Sequence, residues 1–214
     1  MMSSTQRKRA VRKAPGERAS EISEAARTIA LEQGLGSITL RNVAARVGVA
    51  SGLVAHYQPN VEALVASTFT GIVSAEAAEL QATLDGMPSA RGQLAYLLDT
   101  LLDSSRLDVT AVWVDAWTMG RRNEALAVCV RDQMDAWQAM LQDVVEAGIA
   151  AGEFETSDAA SVAWQILGMI DGLNAQALVR WDGVNDRGTH LARAVEGMVG
   201  AARGSLQQLG SSQG

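Results

Sequence analysis

Residues 39–57 read TLRNVAARVGVASGLVAHY, and this stretch decides the fold. Leu40, Val43, Ala44 and Val47 recur at helical spacing behind Ser37 and Thr39, either of which suits an N-cap. Gly48 interrupts the period where a tight turn between two steeply crossed helices needs a left-handed backbone. Ser51 suits the cap of a short second helix that runs through Tyr57 and stops at Pro59. Val43, Val47, Val49, Val54 and Tyr57 are spaced to fill the wedge between the helices, and Ala44 is small where they approach most closely. The pattern predicts a helix-turn-helix that offers Ala50 to Leu53 and His56 to the floor of a DNA major groove. A plain helical hairpin shares this periodicity, so charge must separate the two.

The chain has 214 residues and a net charge of −6, which by itself discourages a nucleic-acid reading. Its distribution reverses the impression: residues 1–58 carry +5 and residues 59–214 carry −11. Such asymmetry marks a nucleic-acid-binding end joined to something else. The basic part opens with Arg7, Lys8, Arg9, Arg12 and Lys13, an arm without an apolar face. It suits either a phosphate backbone, whose counterions it would release, or a solubilising tail.

Outward from the motif the chain reads as helix throughout. Pro15 and Gly16 end the arm, and Ile22, Ala25, Ala26, Ile29 and Ala30 give a first helix from Glu17 to Gly34 and Gly36. Asn60 suits the cap of a fourth helix through Leu84, before the turn Asp85-Gly86-Met87-Pro88. Five more helices are expected at 89–104, 107–120, 123–151, 157–181 and 187–208. The predicted fold class is all-α with nine helices. Its parts are a disordered basic arm over 1–16, a helix-turn-helix domain over 17–60, a ligand-binding and dimerisation domain over 61–209, and a flexible tail over 210–214.

The stretch EAARTIALEQGLGSITLRNVAARVGVASGLVAHY (24–57) and the Glu62-Ala63-Leu64 helix start resemble the TetR-family transcriptional regulators. AVWVDAW (111–117), EAGIAAGEF (146–154), GMIDGLNA (168–175) and ALVRW (177–181) extend the resemblance to its BetI-like group. The resemblance implies a TetR-type fold, a homodimer and a palindromic operator. By motif position Ser51, Gly52, Leu53 and His56 would face bases, while Thr39, Arg41, Tyr57 and Asn60 would hold phosphates. Two positions depart from the family pattern: Gln58 stands where an aromatic is usual and Val61 where a lysine is usual. The missing lysine shifts weight onto the basic arm.

The resemblance also implies that the last two helices pair with their copies in a second subunit. Gly168, Gly172 and Ala175 permit close helix approach, and Leu191, Val195, Met198, Val199 and Ala202 form an apolar stripe. Packing within one subunit would use the same stripe. A second constellation is aromatic: Trp113, Trp117, Met134, Trp137, Met140 and Trp164 lie on the predicted helices of this half, with Asp171 and Asn174 as polar candidates. Asp115 and Gln138 are further polar candidates in apolar surroundings. Such residues line small-molecule cavities, and each one singly also serves as core.

An enzyme is not expected, because no phosphate loop, nucleophile motif or metal-ligand pair is present. Cys129 is the lone cysteine, and His56 and His190 are the only histidines, so neither a metal nor a cofactor is expected. The N-terminus has no apolar stretch and the longest strongly apolar uncharged run falls short of a membrane span, which predicts a cytoplasmic protein with no membrane partner. The expected function is a DNA-binding regulator, a repressor released from a palindromic operator by a small-molecule effector. The alternatives are an activator or, from another class, a helical interaction protein without a DNA site.

Overall fold

The structure is a computed structural model that describes residues 14–181 and 186–207. The basic arm from Arg7 to Lys13 and the tail at 210–214 lie outside the described residues. Among the described residues there are nine α-helices, two short 3-10 turns and no strand.

Helix α1 (Pro15–Gln33) starts on Pro15, whose fixed φ and missing N–H suit a first turn. It buries Ile22, Ala25, Ala26, Ile29 and Ala30 and stops at Gly34, where φ is +85°. A 3-10 turn (Leu35–Ser37) leads into α2 (Leu40–Val47), which Thr39 caps by accepting from the Asn42 N–H at 3.1 Å. Gly48 takes the left-handed conformation, φ 74° and ψ 37°. Backbone bonds from Gly48 to Ala45 O and from Val49 to Ala44 O close the turn as a Schellman motif. In α3 (Ser51–Tyr57), Ser51 is the first helical residue and caps nothing, since Ala50 holds the N-cap position without a side-chain bond. Val43, Ala44 and Val54 are buried between the helices, with Val47, Val49 and Tyr57 packed against them.

Asn60 caps α4 (Val61–Asp85) by accepting from the Ala63 N–H at 3.1 Å. By length and composition α4 is apolar enough to cross a membrane, yet its Leu64, Val65, Phe69, Ile72, Val73, Leu80 and Leu84 are buried within the protein. It packs against α1 on one side and α6 and α7 on the other, which makes it the helix shared by both ends of the chain. The rest are α5 (Ala90–Leu101), α6 (Leu107–Gly120), α7 (Glu124–Ala150), α8 (Ala159–Leu178) and α9 (Arg187–Met198). Gly148 lets the Phe154 ring lie on the α7 backbone: a Cβ there would fall 2.0 Å from the ring.

The expected last helix over 187–208 is too long. It ends at Met198 because Gly200 turns to φ +65°, where a Cβ would meet the Glu155 carbonyl at 2.9 Å. The Glu155 N–H donates to Val199 O at 2.7 Å, and the buried Glu196 carboxylate accepts from the Leu206 N–H at 3.0 Å. These bonds fold residues 201–207 back, so Ala202 lies exposed beyond the helix. The apolar stripe on α9 faces inward. Leu191, Val195 and Val199 are at most 2% exposed within this single chain, so the expectation that they form an intersubunit surface is corrected. A residue already buried in its own core has no surface to offer a second copy.

Candidate nucleic-acid interface and buried cavity

The short α3 presents one covered and one open side. Val54 is fully buried and Tyr57 half-buried, whereas Ser51, Gly52, Leu53 and His56 are exposed. That is the division a recognition helix needs: an apolar anchor on the inside and short or polar side chains outside. His56 stacks edge-on against Tyr57, ring centroids 5.4 Å apart, which limits the freedom of both. Thr39, Arg41 and Asn60 are exposed beside it, at the starts of α2 and α4. Arg46 is held by Glu32 through two bonds of 2.6 and 2.8 Å, which lowers the carboxyl pKa of Glu32 mainly through that hydrogen bond. Arg46 is thereby committed to joining α1 and α2, and Arg41 remains without an ion pair among the described residues.

A cavity of about 50 Å³ lies among α4, α5, α6, α7 and α8. Six of the eight residues expected to bind a ligand line it: Trp113, Trp117, Met134, Trp137, Asp171 and Asn174. Two do not. Trp164 points outward with 67% exposure, and Met140 sits in the core on α7 one turn beyond Trp137. Periodicity could not separate them, since both share the apolar spacing of their helices. Trp113 and Trp117 are stacked at 5.7 Å between centroids, and Phe69 meets Trp113 edge-on at 5.0 Å. The indole N–H groups of Trp117 and Trp137 are buried without a partner. Asn174 ties α8 to α5 by donating to Leu101 O at 2.8 Å.

Three charged groups meet this apolar space. Asp171 makes no hydrogen bond or ion pair among the described residues, and burial pushes its carboxyl up to about 6. Glu76 of α4 and Arg106, just before α6, form an ion pair on the cavity wall. Neither was among the expected site residues, because they stand 30 positions apart and belong to no motif. The available signal was a glutamate within the apolar middle of α4. The polar candidate Asp115 lines no part of the cavity. It accepts from the Leu35 N–H at 2.8 Å and so fastens α6 to the turn before α2.

These features define a helix-turn-helix DNA-binding regulator with a helical bundle behind the DNA-binding end. Residues 90–199 match the family model of the C-terminal part of BetI-type transcriptional repressors, and the chain belongs to this TetR-type family. Solved structures show the same fold. One is a candidate transcriptional regulator from Saccharomonospora viridis in complex with choline, 22% identical, covering 85% of this chain and 96% of that one, with a TM-score of 0.76. A TetR transcription regulator from Haloarcula marismortui is 20% identical over 86% of this chain and 97% of its own, with a TM-score of 0.73. The FadR regulator of Bacillus subtilis, solved with stearoyl-CoA, is 19% identical over 86% and 98%, with a TM-score of 0.66. No curated protein matches the chain.

Proposed function

We propose that the protein is a homodimeric repressor, released from a palindromic operator when a small molecule occupies the cavity. The observation that carries this reading is the path of α6. Trp113 and Trp117 on that helix line the cavity, and Asp115 between them bonds the backbone of Leu35 at 2.8 Å, five residues before α2. A ligand that favours one placement of α6 therefore favours one placement of the helix-turn-helix, and the linkage is reciprocal.

In this reading residues 17–60 form the DNA-binding domain and residues 61–209 the regulatory one. Ser51, Gly52, Leu53 and His56 read bases. Arg41, Tyr57, Asn60 and the arm residues Arg7, Lys8, Arg9, Arg12 and Lys13 hold phosphates. A seven-residue recognition helix gains affinity and register from a twofold partner. Support for the dimer comes from the open face of α8, where Trp164, Gly168, Gly172 and Val179 are exposed, with His190 and Ala194 open on α9. The dimer surface proposed here therefore keeps the α8 glycines and replaces the inward stripe of α9 by its outer side. The two ligands held by relatives, choline and stearoyl-CoA, are chemically unlike, so neither is carried over. No catalytic role is assigned.

The test is a fluorescence-anisotropy titration on the DNA flanking the protein's own gene, with excess nonspecific competitor, at two salt concentrations. Saturation at two subunits per site in the presence of competitor supports the reading. Binding that competitor abolishes, on this and other candidate operators, would favour a helical interaction protein instead.

A further inference from the structure

The cavity is small for the residues that surround it. Ligand sites usually span roughly 300–1,000 Å³, whereas this space measures about 50 Å³. A ligand must displace part of the wall. The wall element that separates the cavity from the outside is the Glu76–Arg106 pair, with side chains 10% and 23% exposed. On its far side lies a surface groove that shares Glu76, Arg106 and Val109 with the cavity and adds Arg27, Glu79 and Asp108.

The charges on the inner side are unbalanced. Arg106 is the only basic side chain on the cavity wall, and it is engaged by Glu76. Asp171 has no counter-charge among the described residues. An anion that drew Arg106 away would leave Glu76 and Asp171 both unpaired in one apolar space. A neutral molecule would separate a buried ion pair and restore nothing, which is strongly unfavourable. A cation restores a partner to each carboxylate, and the indoles of Trp113, Trp117 and Trp137 stand beside it to receive a positive group.

We propose that the Glu76–Arg106 pair is the door of the cavity, and that the effector opens it with a positively charged group that takes the place of the Arg106 guanidinium at Glu76. The inference rests on the effector reading above and adds its charge, its route and the residues that select it. The exchange also has a mechanical result. Glu76 belongs to α4, whose N-terminus follows the recognition helix, and Arg106 immediately precedes α6. Replacing Arg106 by a small ion therefore uncouples α4 from the head of α6, so selection and response use one ion pair.

The experiment uses the full chain and three compounds of similar size: 2-phenylethylammonium, 2-phenylethanol and phenylacetate. Binding is followed by calorimetry and by tryptophan fluorescence. The ammonium is expected to bind about tenfold or more tightly than the other two. Glu76→Gln and Asp171→Asn each weaken it several-fold. Arg106→Ala, with its helical circular dichroism intact, tightens it, because the internal competitor is gone; a purely structural arginine would not do this. Equal or tighter binding of the alcohol or of phenylacetate overturns the proposal. So does no binding by any of the three at millimolar concentration, or weaker ammonium binding by a folded Arg106→Ala variant. The effector reading fails on a different result: a compound seen to bind in the cavity that leaves DNA affinity unchanged.

Discussion

The Leu35 N–H donates to Asp115 Oδ2 at 2.8 Å, across 80 residues of sequence. The same oxygen occupies the space over Gly34, where a Cβ would lie 2.5 Å from it and where φ is +85°. The end of α1 and the middle of α6 are thus shaped around one carboxylate. Because the acceptor is an acid, its loss leaves a partly buried N–H without its charge-assisted bond.

Asp115→Ala is therefore expected to lower stability by about 1.5–3 kcal/mol. Gly34→Ala is expected to cost about 1–3 kcal/mol through its left-handed backbone and the collision. In the double variant the collision is absent, so the combined cost falls below the sum by at least about 0.5 kcal/mol. Urea denaturation of the four proteins measures the cycle. Strict additivity would mean that the two sites act independently, and the coupling assigned to Asp115 would fall with it.

Asp171 gives a prediction with a definite sign. Burial raises its pKa in the folded protein from 3.8 to about 6. Between those values the folded state keeps a proton that the unfolded state has released. Stability from this group is thus present at low pH and lost as pH rises through the window, levelling off above about 6. Asp171→Asn does not titrate. Its stability relative to the parent should rise by about 2–3 kcal/mol between pH 4 and pH 8. Comparing urea midpoints at the two pH values cancels every other titrating group, and a constant difference would place Asp171 in a better-solvated setting.

The helix-turn-helix was legible because local rules carry it. Gly48 takes a left-handed turn, Thr39 caps, and Val43 and Val54 fill a wedge between adjacent helices. Each of those statements needs only neighbours in sequence. The cavity was half legible: Trp113 and Trp117 are one turn apart on α6, but their distinction from Trp164 depends on which side of α8 meets the core. Glu76 and Arg106 had no sequence signal as a pair, since loops and helix packing alone bring them together. The α9 stripe misled for a related reason. An apolar face records that something covers it, and the covering surface here is the protein's own.

The exposed side of α3 separates two kinds of DNA contact. His56→Ala is expected to relax preference at particular base pairs, with the parent's best site losing about 1–3 kcal/mol and mismatched sites little. Tyr57→Phe keeps the ring that packs against the core and removes only the hydroxyl. It should weaken all sequences alike. Anisotropy titrations on an operator and its single-base variants distinguish the two patterns. Equal loss on every variant for His56→Ala would remove it from the base-reading set.

The outer face of α8 yields the last prediction. Trp164 and Val179 on that face are 67% and 77% exposed, and Trp181 just beyond it is 58% exposed. Large apolar groups clustered in the open mark an interaction surface rather than ordinary exposed core residues. Gly168 and Gly172, spaced four and eight residues after Trp164, leave room for a second helix to approach closely. Trp164→Glu should therefore move the protein from dimer to monomer in sedimentation while leaving its circular dichroism unchanged. Leu191→Ala tests the opposite assignment. Leu191 is only 2% exposed, so its truncation should cost about 2–5 kcal/mol of fold stability as a core cavity. If instead Trp164→Glu stayed dimeric and Leu191→Ala dissociated a still-stable fold, the contact would run through α9's apolar stripe, and that helix would have to leave its own core to make it.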